Sequence, residues 1–354
     1  MTDDRPLTRP SPAIAADPAA LGTPRLLHDG LAARPAVSRD DAASRVTPLS
    51  PDRVAVISNA RSHRNKRTGI TLPSDDLARL VATPRSPADL SAALAHFAAE
   101  GIDLLVIDGG DGTVRDVITA ARAFFGEHLP RLAIAPSGKT NALAIDLGLP
   151  EGWTVRDAIL AAGAGRSARR APIEITRAGD GETPLRGFLF GAGAFVRATR
   201  LAQRTHRAGA FKRLAVGLSL TLAIGKTMFG RKSNIWRAGE RMVIETDRGA
   251  ADRAFYMLFG ATLERLPLGF KPFGRNRPGL KLLAIDAPPR AIVLNAPALL
   301  AGSESETLRE AGYHRCDPAS FRLTLAGEFI LDGEHYPGGA LHIATGTPID
   351  FVIP

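Results

Sequence analysis

Asp103-Leu-Leu-Val-Ile-Asp-Gly-Gly-Asp-Gly-Thr113 is the stretch that decides how this chain is read. Leu104 to Ile107 is an apolar run of strand length with no polar interruption, the pattern of a strand buried on both faces. It breaks at Asp108 into Gly109-Gly-Asp-Gly-Thr113, and the residues through Phe125 read as a helix. Adjacent glycines let the backbone turn tightly and approach a ligand. Their amides, with the positive end of the following helix, suit an anion such as phosphate. Asp111 stands in that turn, placed to meet a metal-bound or protonated group.

Outward from this unit the same arrangement recurs. Arg53-Val-Ala-Val-Ile57 is a buried strand running into Ser58-Asn59, and Ser86 to Glu100 reads as a helix opened by Ser86-Pro87 and stopped by Gly101. Arg131 to Ala135 is a third strand. It enters Pro136-Ser-Gly-Lys-Thr-Asn141, then a helix over 142–147 and another over 153–162. Strands alternating with helices predict a parallel sheet covered on both faces, with the turns gathered at one carboxyl edge where ligands bind. There Gly138 would give a ligand close access and Asn141 would fix the loop or bind a hydroxyl. Asn59 to Lys66 adds amides, a hydroxyl and cations at the same edge. A Walker-type reading of Ala133-x4-Gly138-Lys139-Thr140 fails, because its first glycine is Ala133 and Pro136 stiffens the loop.

Beyond about residue 170 the pattern changes to short apolar runs divided by turns, which predicts a β-rich, sandwich-like second domain. Near its end, Phe329-Ile-Leu-Asp-Gly-Glu-His335 sets two carboxylates, Asp332 and Glu334, around a glycine. One could accept a proton from an attacking hydroxyl; a hairpin turn with solvated charges is the other reading, and spacing alone leaves both open. The expected division is therefore a disordered arm over 1–50, an α/β domain over 51–170 and a β domain over 171–354. The arm holds seven prolines and no aromatic residue, too little apolar surface to offset the entropy of ordering.

Composition bounds the function. The chain has 354 residues, 45% of them hydrophobic, and a formal net charge of +9. Its one cysteine, Cys316, excludes an intramolecular disulfide and a thiolate-built metal cluster, which fits a reducing, cytoplasmic setting. No apolar run is long enough to span a bilayer. From Thr183 to Gly239 there are eleven lysines or arginines and no acid. That stretch predicts a basic, partly apolar helical insertion at about 197–232, suited to an anionic lipid surface. Nucleic acid is not the expected partner, since aromatics are not interleaved with the basic residues.

Gly109-Gly-Asp-Gly-Thr113, Pro-x-Gly-x-x-Asn at 136–141 and Asp-Gly-Glu at 332–334, in that order, resemble the catalytic domain of diacylglycerol kinases, a family that includes soluble bacterial lipid kinases and sphingosine kinases. Phe190-Gly-Ala-Gly-Ala194 and Pro267-Leu-Gly-Phe-Lys-Pro272 also fall where the family has glycine-rich segments. The resemblance spans about residues 52–354. It implies a nucleotide-binding α/β domain, a β-sandwich domain and a cleft between them. There ATP with Mg2+ would give up a phosphoryl group to a lipid hydroxyl, diacylglycerol by default, and feed phospholipid biosynthesis. ATP would be held by Asn59, Ser62, Thr83, Gly109, Gly110, Asp111, Gly112, Thr113, Asp116, Gly138, Lys139 and Asn141. Glu334 would accept the proton, with Asp332 and Asp111 beside it. The protein would then work in the cytoplasm at the inner membrane surface, with a homodimer left open.

The sequence departs from the family at Lys139, Ser62-His63 and Arg115. It departs most at Arg275-Asn-Arg-Pro-Gly-Leu280, where the resemblance implies an acidic Asp-Gly-Leu segment binding a second, structural Mg2+. That metal site is expected to be absent here, with Arg275 or Arg277 supplying the positive charge. Two other functions compete. NAD kinase shares the first glycine motif, but Ala142 stands where a glutamate is expected. A catalytically impaired, nucleotide- or lipid-binding regulator is favoured by the altered loops and opposed by Asp111, Asp332 and Glu334.

Overall fold

The computed structural model describes residues 50–70, 73–177, 183–207 and 235–354, without the side chains of 201–207 and 235–236. The expected arm over 1–50, apart from Ser50, and the part of the basic insertion beyond Arg207 lie outside the described residues.

The first sheet grows from strands too apolar to face water. β1 (Val54–Ser58) and β3 (Leu104–Gly109) are buried at every position. β2 (Leu80–Ala82) pairs with β1, and β4 (Arg131–Pro136) with β3, all in parallel. Helices cover the sheet as the alternation predicts. The first, α1 (Asn65–Thr68), is a single turn. α2 (Pro87–Ala99) starts with a capping box between Ser86 and Asp89. α3 (Asp111–Phe125) buries Val114, Val117, Ile118 and Ala121 on one stripe. α4 (Ala142–Asp146) and α5 (Val155–Gly163) follow β4.

Two strands complete this sheet in a way the division at 170 does not foresee. β5 (Ser167–Arg170) lies at its edge, and the last strand of the described chain, β15 (Ile349–Val352), inserts between β4 and β5. The order is β2-β1-β3-β4-β15-β5, with β15 parallel to β4 and antiparallel to β5. Phe351, fully buried, and Ile349 belong to the same core as Ile57 and Ile107. The α/β unit therefore takes residues from both ends of the described chain, and the expected 171–354 unit loses its last strand to it.

The second domain is one nine-stranded sheet folded on itself. Its early strands are β6 (Ile173–Arg177), β7 (Leu185–Gly187) and β8 (Leu189–Gly193), and the helix α6 (Ala194–Arg207) follows. β9 (Glu240–Thr246) pairs with both β10 (Gly249–Ala261) and β13 (Ser320–Leu331), and β8 pairs with both as well. Two long strands thus pass from one layer to the other and enclose a core of Phe190, Phe255, Phe329 and branched aliphatics. β13 is one long strand, with a bulge at the register shift between Leu325 and Glu328. β14 (Glu334–Thr345) returns beside it. β11 (Lys281–Asp286) and β12 (Tyr313–Cys316) finish the edge, with a helix over Ile292–Leu300 between them.

The two domains share a packed seam. Phe188, on the chain between β7 and β8, belongs to the first domain's core and meets Phe351 edge-on at 6.0 Å. The Arg186 amide donates to Thr119 Oγ1 on α3 at 3.0 Å.

Candidate active site

Three turns converge where the seam crosses the carboxyl edge of the first sheet. The first is Gly109 to Thr113. A methyl group on Gly109 would lie 2.4 Å from Thr113 Cβ, and one on Gly110 would lie 2.9 Å from Gly138 Cα. Glycine at 109 lets the helix start directly off its strand, and glycines at 110 and 138 let two turns touch backbone to backbone. Gly112 sits in the first turn of α3, whose N-terminus supplies the partial positive charge that favours an anion.

The second turn is closed by Asn141, held in the left-handed region at φ 50°. Its side chain accepts from the Gly138 amide at 2.9 Å and donates to the Gly138 carbonyl at 3.2 Å. The Asp111 carboxylate then accepts from the Leu143 amide at 3.2 Å, so the first turn caps the helix launched by the second. Lys139 is exposed at the rim.

The third turn, Asp332-Gly333, comes from the other domain. Both residues have positive φ, 46° and 84°, in the two-residue hairpin that Asp-Gly favours. It is a hairpin, but its aspartate is not solvated as that reading supposed. Asp332 accepts from the Phe188 amide at 3.0 Å and from the Leu189 amide at 2.9 Å. A methyl group on Gly187 would lie 2.5 Å from Asp332 Oδ2, so glycine there makes room for the carboxylate. Burial pushes the Asp332 pKa up to about 7, and the charge of Asp111 adds to it; the Leu189 and Phe188 amides and Arg115 oppose the rise. Burial also raises the pKa of Asp111, against the amides of Ala142 and Leu143. Carboxylates from two domains thus face one another electrostatically. Glu334 is exposed just past the turn, and the hairpin separates it from Asp332 rather than presenting both on one strand face.

Arg115, which the sequence marked only as a departure, links these parts. It is buried, donates to the Leu331 carbonyl at 3.2 Å, pairs with Asp116 at 2.7 Å and lies over the Tyr336 ring. Asn59 donates to Thr113 Oγ1 at 2.8 Å, which ties the loop after β1 to the first glycine turn. A cavity of about 410 Å³ opens beside this bond, between Asn59, Pro84, Leu90, Thr113, Asp116 and Tyr336. Thr83 is exposed in the loop after β2, beside Pro84, and is not part of the cavity wall. Ser62 is buried, and its hydroxyl finds no partner among the described residues. The sequence reading missed Arg115 and Tyr336 as site residues, because a buried arginine and a tyrosine from another domain carry no local pattern. Within the Asn59 to Lys66 stretch, Asn65 and Arg64 bond Asp108 at 2.8 and 3.1 Å and hold the base of the loop.

Residues 53–174 match the family model of the diacylglycerol kinase catalytic domain. That match lies over the first domain and reaches the first strand of the second. Curated relatives named "Probable lipid kinase YegS", from Shigella flexneri and from Escherichia coli K12, are 39% identical over 51 residues. That stretch is 14% of this chain and 17% of theirs. In fold, the chain resembles the crystal structure of a diacylglycerol kinase from Bacillus anthracis strain Sterne, with a TM-score of 0.57 at 14% identity. Another structure from that strain gives 0.61 at 16% identity. Both likenesses cover 86% of this chain and 97% of the other.

A diacylglycerol kinase catalytic domain implies ATP and a divalent metal, and the residues here fit them unevenly. Asp111 and Asp332 fit a cation arriving with a nucleotide, since their mutual repulsion is what a positive charge relieves. The structural-metal segment does not fit. Arg277 pairs with Glu304 at 2.7 Å and Asp317 at 3.2 Å, and the Arg275 amide donates to Glu304 at 2.8 Å. The acids near this loop are thus engaged by arginine. Arg277 reaches one carbonyl of the loop, that of Arg275, at 3.4 Å; the cation that sequence reasoning did not foresee is Lys281, donating to the Arg277 and Gly279 carbonyls at 3.0 and 3.1 Å.

Proposed function

We propose that this chain is an ATP-dependent lipid kinase that transfers the γ-phosphoryl group to a lipid hydroxyl, with diacylglycerol as the acceptor. The observation that carries this reading is the meeting of the Gly110 and Gly138 turns, backbone against backbone, beneath an Asp111–Asp332 pair drawn from both domains. Phosphoryl transfer asks for positioning and charge neutralisation more than covalent chemistry, and this is a positioning device.

The amides of Gly110 and Gly112 at the start of α3 would hold phosphate oxygens, and Lys139 would add charge from the rim. Asn59, Thr113 and Asp116 line the cavity beside them, which is large enough for a nucleotide base. Mg2+ bound with ATP would neutralise phosphate charge near Asp111 and Asp332. Glu334, exposed beside the pair, would take the proton of the lipid hydroxyl. The hydroxyl oxygen then bonds to the γ-phosphorus as the bond to the bridging oxygen breaks, and ADP leaves. The net charge of +9 suits work at an anionic membrane surface from the cytoplasmic side.

The test is transfer of 32P from labelled ATP into a bacterial lipid extract dispersed in anionic micelles, followed by chromatography. One labelled lipid that disappears with Glu334→Gln is the expected result. ATP binding with no labelled lipid from any extract would instead favour a regulator that binds nucleotide without turnover.

A further inference from the structure

Loop 272–281 is built around basic side chains. Arg315 donates to the Pro272 carbonyl at 2.7 Å and the Ser303 carbonyl at 2.6 Å. Arg277 holds Glu304 and Asp317. Lys281, only 2% exposed, turns its ammonium back into the loop onto two carbonyls of its own chain. Carbonyl oxygens converging on one point without an amide to satisfy them make a cation site. A buried ammonium is tolerated only where such acceptors replace its lost water.

We propose that the Lys281 ammonium is a tethered cation that closes the 275–281 loop in place of a bound divalent ion, so that this part of the second domain assembles without metal. Lys281 begins β11, pairing with Ala261 of β10, and so its charge is delivered by the sheet itself. Burial lowers its pKa to about 8, which leaves it protonated at neutral pH; Asp317, Asp146 and Glu264 act against that fall. Asp146 ends α4, accepts from the Glu264 and Arg265 amides at 2.8 and 2.6 Å, and pairs with Arg170. The tethered charge therefore stands within electrostatic reach of the junction that seats α4, the helix whose first amides hold Asp111. This reading rests on the loop's own geometry and does not depend on the acceptor or on turnover.

The decisive readout is local: hydrogen exchange, by mass spectrometry, of peptides covering 272–285 in the full chain without nucleotide. Exchange is expected to be the same in chelator and in millimolar Mg2+. It should speed about tenfold in Lys281→Met, which keeps the volume but strands both carbonyls, and should return toward the parent rate in Lys281→Arg. Protection of this segment that arises only with Mg2+ would overturn the proposal, as would parent-like exchange in Lys281→Met. If Lys281→Met does not fold, the comparison of chelator with Mg2+ on the unaltered chain decides alone. Mg2+ bound at Asp111 and Asp332 is not confused with this effect, because it would protect other peptides.

Discussion

At the scale of single residues, two carboxylates that the sequence sets only two apart stand in opposite settings. Glu334 is exposed, so its replacement should cost little stability. Glu334→Gln is expected to lower turnover by about a hundredfold or more, with ATP binding and melting temperature unchanged, measured by transfer assay and thermal melting. Asp332 behaves oppositely. Its pKa in the fold is about 7 against an ordinary 3.8, so the folded chain holds this proton where the unfolded chain has lost it. Stability from this group is present at low pH and is lost as pH rises from about 4 to about 7. Asp332→Asn removes that dependence, so the difference in melting temperature, variant minus parent, should grow from pH 5 to pH 7.5. A flat difference would place the carboxylate in a more solvated setting than the fold gives it. Gly110 is constrained by distance rather than charge. Gly110→Ala forces the two turns apart and should cost about 1–3 kcal/mol and weaken ATP binding, read by denaturant titration and calorimetry. The glycine turns and Asn141 were legible in the sequence because their role is local. Asp332 was legible only as one of two candidates, since its amide partners at 188 and 189 lie far away in sequence.

At the scale of elements, local pattern worked wherever a strand was buried on both faces or a helix carried its own cap. β1, β3, β4, α2 and α3 fall where the apolar runs and the Ser86-Pro87 start put them. The misses have a common cause. β2 has three half-buried residues, and β5 alternates exposed and half-buried positions, so neither shows an apolar run. β15 is apolar, but nothing in Ile349-Asp-Phe-Val352 says which sheet it joins. Its place between β4 and β5 makes a testable claim about the N-terminal domain. Phe351→Ala should cost about 3–5 kcal/mol and should loosen β4 and β3, seen as faster hydrogen exchange in peptides over 104–109 and 131–136. An effect confined to the second domain would contradict the shared core.

At the scale of the whole molecule, the site exists only because the two domains meet. The α/β domain brings the glycine turns and Asp111; the folded sheet brings Asp332, Glu334 and Tyr336; Arg115 lies between them with contacts to both. This convergence could not be seen in spacing, because the residues are separated by more than two hundred positions, and only the resemblance to a family put them in one cleft. The basic insertion at about 197–232 was expected to face lipid; within it, Arg200 pairs with Glu328 on β13. The central claim is that this junction phosphorylates a lipid. The measurement that tests it most directly is transfer of 32P from ATP to diacylglycerol in mixed anionic micelles by the purified chain, with Glu334→Gln and Gly110→Ala assayed beside it. The account predicts labelled phosphatidic acid from the parent, loss of product without loss of ATP binding in Glu334→Gln, and loss of both in Gly110→Ala. Product formed equally by the parent and Glu334→Gln, or ATP bound as tightly by Gly110→Ala, would contradict it.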